Sequence, residues 1–445
     1  MKSSDPVHYT DLPDFQGRQW LKFGEFPEQM EDWYLGEKKS VDSLLCDPQA
    51  MKSTMRQAIQ YGDWQWPAFP IYFISDVHAD TDAFLASLVA SGGIKKTGPK
   101  DKDIELTKEG RAALFVIGGD CFDKGPDNLR LLCCIRYLDS IAKVVILAGN
   151  HDLRLFLGIR SVFMRKDPRT EHFFVRMGAK AVPLLKEVYD NYLDNKASLN
   201  GIPDNESCRE ILYPSEKWFE EFPRIAQWSM SSPAVKRETS RIRKKIDKFE
   251  DNCTEAGLSL RKVFATVCKC RELFLEGDGE YAWFYRKMKL MHRETSFLFL
   301  HAGLDDSIAA MLDESGIDQV NDLFRQQLNG DLFKFYYGSV ANTIRTKYRE
   351  VDMPLSKYGV DKVQRMGIHA LVHGHRNLYN GQRIMLRSGL LHIESDTTMD
   401  CNSRIKEGLQ GLGAGVTIIS PNKKIIGISA DYPYAKVFTP GNSEF

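Results

Sequence analysis

The chain has 445 residues, with 60 Lys and Arg balanced by 60 Asp and Glu, so its formal net charge is zero and no overall field favours nucleic acid or a bilayer surface. Hydrophobic residues make up 43% and charged residues 27%, which suits a globular protein and excludes a disordered or membrane-spanning class. The length exceeds that of one ordinary compact domain, so a core with additions is expected.

Residues 1–66 are rich in aromatic and acidic residues, with Trp20, Phe23, Phe26, Trp33, Tyr34, Trp64 and Trp66. That richness predicts an extension wrapped onto the core rather than a disordered tail. Five short apolar runs then punctuate the chain at Ile71–Ile74, Ala113–Ile117, Val144–Leu147, Phe297–Leu300 and Ile368–Val372. Such near-continuous runs predict strands buried on both faces. Helical stripes follow the first two, at Phe84, Leu85, Leu88 and Val89, and at Leu129, Leu131, Leu132, Ile135 and Leu138. Strand, polar loop and helix therefore alternate, the pattern of an α/β layered domain.

A polar block follows each strand. These are Asp76-Val77-His78, Gly119-Asp120-Cys121-Phe122-Asp123-Lys124-Gly125, Gly149-Asn150-His151-Asp152, His301-Ala302-Gly303-Leu304 and Gly374-His375-Arg376. Ligands gather at the carboxyl ends of strands in such sheets, and every block is at one. Carboxylate, amide oxygen and imidazole together suit Mn, Fe or Zn. Asp76, His78 and Asp120 are assigned to one ion, and Asp120, Asn150, His301 and His375 to a second, with Asp120 bridging. Two cations so placed would turn a shared water into hydroxide near neutral pH for in-line attack on phosphorus. His151 is then the expected general acid and Asp123 the carboxylate that orients it. Lys124 is expected on a phosphate oxygen. His373 is read as a hydrogen-bonded structural residue, with a metal ligand the alternative, and His8, His172, His292, His369 and His392 as surface or core residues.

Between His151 and His301 an insertion is implied. Ile242, Ile246, Phe249 and Cys253 mark one helix from about Ser232, and Leu260, Val263, Phe264, Val267 and Phe274 a second after Gly257. A coiled-coil-like hairpin over about 232–293 would account for both. The first helix carries Lys236, Arg237, Arg241, Arg243, Lys244, Lys245 and Lys248, either a solvated face or a docking surface for an acidic partner or anionic lipid. The cluster Tyr281–Tyr285 is read as packing. Residues 305–366 are expected to overhang the site, and Gly415–Ser420 with Ile425–Ser429 to form a β-hairpin in the second sheet. The nine cysteines show no paired framework, so free thiols in a reducing compartment are expected. No signal-type segment is evident near Met1. The expected location is the cytoplasm, or a host cell reached by translocation.

These blocks resemble those of the calcineurin-like metallophosphoesterases, and specifically their phosphoprotein phosphatase branch: Asp-x-His-Gly, Gly-Asp-x-x-Asp-Arg-Gly, Gly-Asn-His-Glu or -Asp, His-Gly-Gly or His-Ala-Gly, and a late Gly-His. The resemblance covers roughly 70–155 and 296–430. It implies a β-sandwich of two mixed sheets flanked by helices, here with a helical hairpin inserted, and a catalytic core at 67–155 and 296–435 interrupted by 156–295. It also implies two divalent metal ions, with Mn the leading choice, and a phosphoprotein substrate carrying phosphotyrosine, phosphoserine or phosphothreonine. Ala79 stands for the usual glycine, Asp152 for glutamate and Lys124 for the phosphate-clamping arginine, a role for which Arg154 is the proposed replacement. Asn377 occupies the place of the second histidine in the Gly-His-x-His form of related nucleases, which favours the phosphatase set. The layout is also similar to bacterial effector phosphatases of the Wip type. A symmetrical diadenosine tetraphosphatase is the alternative activity, and an interaction scaffold with a vestigial metal site the alternative from another class.

Overall fold

A computed structural model describes residues 12–22, 25–33, 53, 56–57, 62–193, 199–228 and 230–440. Its strands in chain order are β1 (Met30–Asp32), β2 (Ile71–Ile74), β3 (Ile94–Lys96), β4 (Ile104–Leu106), β5 (Leu114–Ile117), β6 (Lys143–Ile146), β7 (Met291–Glu294), β8 (Phe297–Leu300), β9 (Ala370–His373), β10 (Arg383–Arg387), β11 (Leu390–Glu394), β12 (Gly415–Ser420), β13 (Lys424–Ser429) and β14 (Ala435–Phe438). They build a seven-stranded sheet ordered β1-β14-β13-β12-β2-β5-β6 and a five-stranded sheet ordered β10-β11-β9-β8-β7. β3 and β4 pair separately.

Alternation along each strand explains why both sheets are apolar on two faces. Ile71 and Phe73 of β2 and Leu114 and Val116 of β5 point between the sheets, meeting Phe297, Phe299, Ala370 and Val372. Phe73 and Phe299 approach to 5.9 Å between ring centroids. Their neighbours Tyr72, Ile74, Phe115 and Ile117 turn to the opposite side, under the helices Thr81–Ala90 and Asn128–Ile141. Those helices bury the stripes expected of them.

The parallel registers carry the functional consequence. Ile74 lies opposite Ile117, and Ile117 opposite Ile146, so the carboxyl ends of β2, β5 and β6 are level. In the other sheet Phe299 pairs with Val372, which levels β8 and β9. All five polar blocks therefore leave the sandwich at one edge.

Three expectations are corrected or completed. The hairpin β12–β13 belongs to the sheet that contains β2, β5 and β6, because β12 pairs antiparallel with β2. The extension contributes β1, which pairs parallel with β14, while Trp33 enters the core between the sheets and Trp64 and Trp66 stack beside Phe297. Phe23, Tyr34 and His8 lie outside the described residues.

The segment between Asn150 and Met291 is largely helical, including Ser232–Glu255 and Leu260–Cys270. These two helices do not zip together as a coiled-coil-like hairpin. The first packs on Phe173–Met177 and Trp218–Ala226, the second on Val182–Tyr192 and Asn205–Leu212. Phe249 shows why, since its ring is occupied by Phe174 and Tyr213. Among the described residues no helix is long and apolar enough to cross a membrane, and the eight described cysteines are free.

Candidate functional site

Seven non-glycine residues in or beside the blocks have left-handed backbone: Asp76, His78, Ala79, Asp120, Asp123, Lys124 and His375. Each costs about 1 kcal/mol or more and persists only where its surroundings hold it. Asp152 supplies much of that hold. Its carboxylate accepts from the backbone N–H groups of Asp120, Cys121, Phe122 and Gly149 at 2.8–3.2 Å, and it is fully buried. Glycine is needed at 374 because a Cβ there would collide with the Asp76 carboxylate and the Ser75 hydroxyl.

The loops bring the expected residues to one point. Asp120 Oδ2 lies 3.4 Å from His301 Nε2, 3.8 Å from His78 Nε2 and 3.9 Å from His151 Nε2. His78 Nε2 is also 3.9 Å from Asp76 Oδ1. Two groups have metal-holding spacing, His78 with Asp120 and His151, and Asp120 with His301 and His375. Asp120 is common to both, as a bridging ligand must be.

The ring orientations fit ligation. His78 Nδ1–H donates to the Phe122 carbonyl at 3.1 Å and His301 Nδ1–H to the Gly118 carbonyl at 2.8 Å, which turns both Nε2 lone pairs toward the cluster, where that of His78 meets the Lys124 ammonium. His375 is reversed, with Nε2–H donating to the Arg345 carbonyl at 3.1 Å and Nδ1 left free. His301 Nε2 and Asn150 Oδ1 are buried without a hydrogen-bond partner. Orphaned acceptors in a buried cluster of carboxylate, amide and imidazole are what divalent cations would satisfy.

Electrostatics agree. Burial and the Asp120 neighbour push the Asp76 carboxyl up, although His301 opposes them. Burial also works against ionised Asp120, yet His301, His151 and His78 hold it well below the usual range. His301 is raised to about 10 against its burial by Asp120 and Asp76. The cluster holds positive charge strongly, and a cation would take the place of that imidazole proton.

His151 Nδ1–H donates to Asp123 Oδ2 at 2.7 Å, with both residues buried. Lys124 Nζ stands 2.5 Å from His78 Nε2, so an ion on His78 requires the ammonium to withdraw into the cavity. Arg154 lines that cavity, which has a volume of about 1300 Å3. His373 is elsewhere, held by His392 Nδ1 at 3.1 Å in the buried interior.

Several lining residues had no sequence expectation. Arg176 and Lys180 come from the helical segment after Val162, and Tyr336, Arg345 and Lys347 from the expected overhang. Asp396 is buried against Asp76, and burial with that neighbour pushes its carboxyl well up. Its signal was available, since it follows the strand β11 as Asp76 follows β2.

Residues 69–260 match the family described as calcineurin-like phosphoesterase. That span contains the first three blocks, while His301 and His375 lie beyond it. No curated protein matches the chain significantly. Among solved structures it is similar to a cold-active protein-tyrosine phosphatase of a psychrophile, Shewanella sp., at 14% identity and a TM-score of 0.39, over 86% of this chain and 84% of that one. It is also similar to a protein serine/threonine phosphatase from Saccharomyces cerevisiae, at 12% identity and a TM-score of 0.38, over 88% and 89%. Both overlays are too loose to bear on activity. With its blocks at the strand ends, the chain is similar to the calcineurin-like phosphoesterases over residues 69–260.

Proposed function

We propose that the protein is a metal-dependent phosphomonoester hydrolase acting on phosphorylated protein side chains through a dinuclear centre. The observation that carries this reading is the Asp120 carboxylate shared by two metal-holding groups, with the His151–Asp123 pair beside it. Asp76, His78 and Asp120 would hold one ion, and Asp120, Asn150, His301 and His375 the other. When bound, the ions supply Lewis acidity and a deprotonated water, and the mixed oxygen and nitrogen donors suit Mn, Fe or Zn.

The chain's own residues do the rest. His151 is the proton donor to the leaving oxygen, since its Nδ1 is tied to Asp123 and its Nε2 faces the cluster. Asp123 fixes that ring and favours its charged form. Lys124 and Arg154 offer positive charge to the phosphate oxygens from the cavity wall. The helix Asn150–Val162 points its amino end at the same place, which favours an anion there. The size of the cavity supports a macromolecular substrate.

The test is turnover by purified protein with added Mn on phosphotyrosine, phosphoserine and phosphothreonine peptides and on diadenosine tetraphosphate. Hydrolysis of a phosphopeptide supports the reading. Turnover of the dinucleotide alone would move the assignment to a nucleotide hydrolase, and no turnover at all to a scaffold. His151→Ala should cut turnover at unchanged bound metal. Lost metal in that variant would make His151 a ligand, which its place beside His78 and Asp120 also allows.

A further inference from the structure

The cavity is far larger than one phosphate requires, and its charges are unevenly placed. At one end stand the carboxylates and imidazoles of the metal cluster. Another part of the wall is the first turns of the helix Ser232–Glu255, whose Ala234, Arg237, Glu238 and Arg241 all line the cavity. Their spacing of three and four residues makes them one helix face.

Among the described residues Glu238 is the only acid on that wall, and it is already engaged. Its Oε2 lies 3.2 Å from Arg176, and its Oε1 accepts from the Tyr337 hydroxyl at 3.3 Å. Arg176 in turn donates through Nε to the Tyr336 hydroxyl at 2.7 Å. No carboxylate pairs with Arg154, Lys180, Arg237 or Arg241 among the described residues. Burial, then the Lys124 and Arg154 charges, push the Lys180 ammonium down. Arg154, Lys180, Arg237 and Arg241 thus face the cavity with no carboxylate of their own, which favours an anion beside them.

Lys244 and Lys248 continue the stripe of Arg237 and Arg241 along the helix, beyond the residues that line the cavity. Lys236 and Arg243 lie about a quarter-turn away, with Arg243 over the Phe219 ring at 3.9 Å. The basic run of the sequence is therefore two surfaces, and the start of one of them lines the cavity. A flat bilayer meets an outer face, whereas a peptide chain can enter a recess.

We propose that Arg237, Arg241 and Lys180 form a second anion subsite that selects phosphopeptides with acidic residues beside the phosphorylated side chain. This rests on the proposed phosphatase activity. The test compares two peptides carrying whichever phosphorylated residue the protein hydrolyses best, one flanked by Asp and Glu and one by Asn and Gln. The acidic peptide should be favoured about tenfold in kcat/KM, with the advantage shrinking as salt rises. The variant R237Q/R241Q should bring the ratio near one, and K236Q/R243Q, about a quarter-turn round the helix and outside the cavity, should leave it intact. A ratio near one in the unmodified protein, or equal losses in both variants, would overturn the proposal. So would phosphatidylserine vesicles that bind through Arg237 and Arg241 while the peptide ratio stays unchanged. Failure of the activity itself is distinguishable, because the unmodified protein would then also leave p-nitrophenyl phosphate intact. In that event fluorescence anisotropy with the acidic peptide decides: binding lost in R237Q/R241Q supports the subsite, and unchanged binding removes it.

Discussion

Asp123→Asn isolates the proton-donating step. The carboxylate is 2.7 Å from His151 Nδ1, and both side chains are buried. Unit charges about 4 Å apart interact by about 4 kcal/mol at an effective dielectric of 20, an upper bound for this pair. A charge-assisted hydrogen bond contributes about 1.5–3 kcal/mol net. Taking about 2 kcal/mol as lost support for the imidazolium, kcat on a phosphoserine peptide should fall about thirtyfold. Its alkoxide leaving group needs the proton. With p-nitrophenyl phosphate the leaving group departs without one, so the loss there should be within about threefold. Steady-state kinetics on both substrates, with bound metal quantified in each preparation, provide the readout. Equal losses on the two substrates at full metal content would refute the acid–orienter assignment, and so would no loss on either.

Gly374→Ala should abolish metal retention while the far-ultraviolet circular dichroism stays native, because the new Cβ would strike the Asp76 carboxylate; full retention would contradict that steric account. Glu238→Gln strands the largely buried Arg176 guanidinium and should cost about 3 kcal/mol in chemical denaturation. Adding Arg176→Gln should recover part of it, and additive losses would count against the pair. Burial, with Arg176 and Arg154 nearby, pushes the Lys245 ammonium down to about 7, below its ordinary 10.5. Between those values the unfolded chain binds a proton that the folded chain has released, so stability rises with pH across that window. Lys245→Met should flatten the rise and stabilise the protein near pH 7, and denaturation series from pH 7 to 10 with unchanged slope would exclude it.

The loops of the candidate site were legible because each is a local pattern, an apolar run followed at once by Asp, Asn or His. Asp76, Asp120, Asn150, His301 and His375 needed only strand ends to be recognised. β1 was not legible, since Met-Glu-Asp has neither an apolar run nor an alternation that separates it from loop. Its pairing with β14 joins residues about 400 positions apart, which no window spans. Periodicity likewise showed that Ser232–Glu255 has an apolar face and could not show what covers it. Phe249 reads the same against a coiled-coil partner as against Phe174 and Tyr213. Single cations such as Arg176, Lys180 and Arg345 leave no local signature at all, and only packing brings them to one cavity.

That division has a physical origin in how the two halves of the site are stabilised. The metal end is built on strained backbone, and a strained loop must be tied down nearby: Asp152 takes four N–H groups from residues around Asp120 and Gly149, and Ser75 Oγ donates to Asp76 at 2.6 Å. Such ties lie within or beside the blocks themselves, so chemistry and support appear together in the sequence. The cationic wall has the opposite construction. Its helix is regular, its side chains are long, and it is fixed by the Arg176–Glu238 pair linking Phe173–Met177 to Ser232–Glu255. A wall of this kind changes its charge pattern through single surface substitutions at little cost in stability, whereas the strained end does not tolerate them. Substrate choice can then vary on the wall while the hydrolytic centre is held constant.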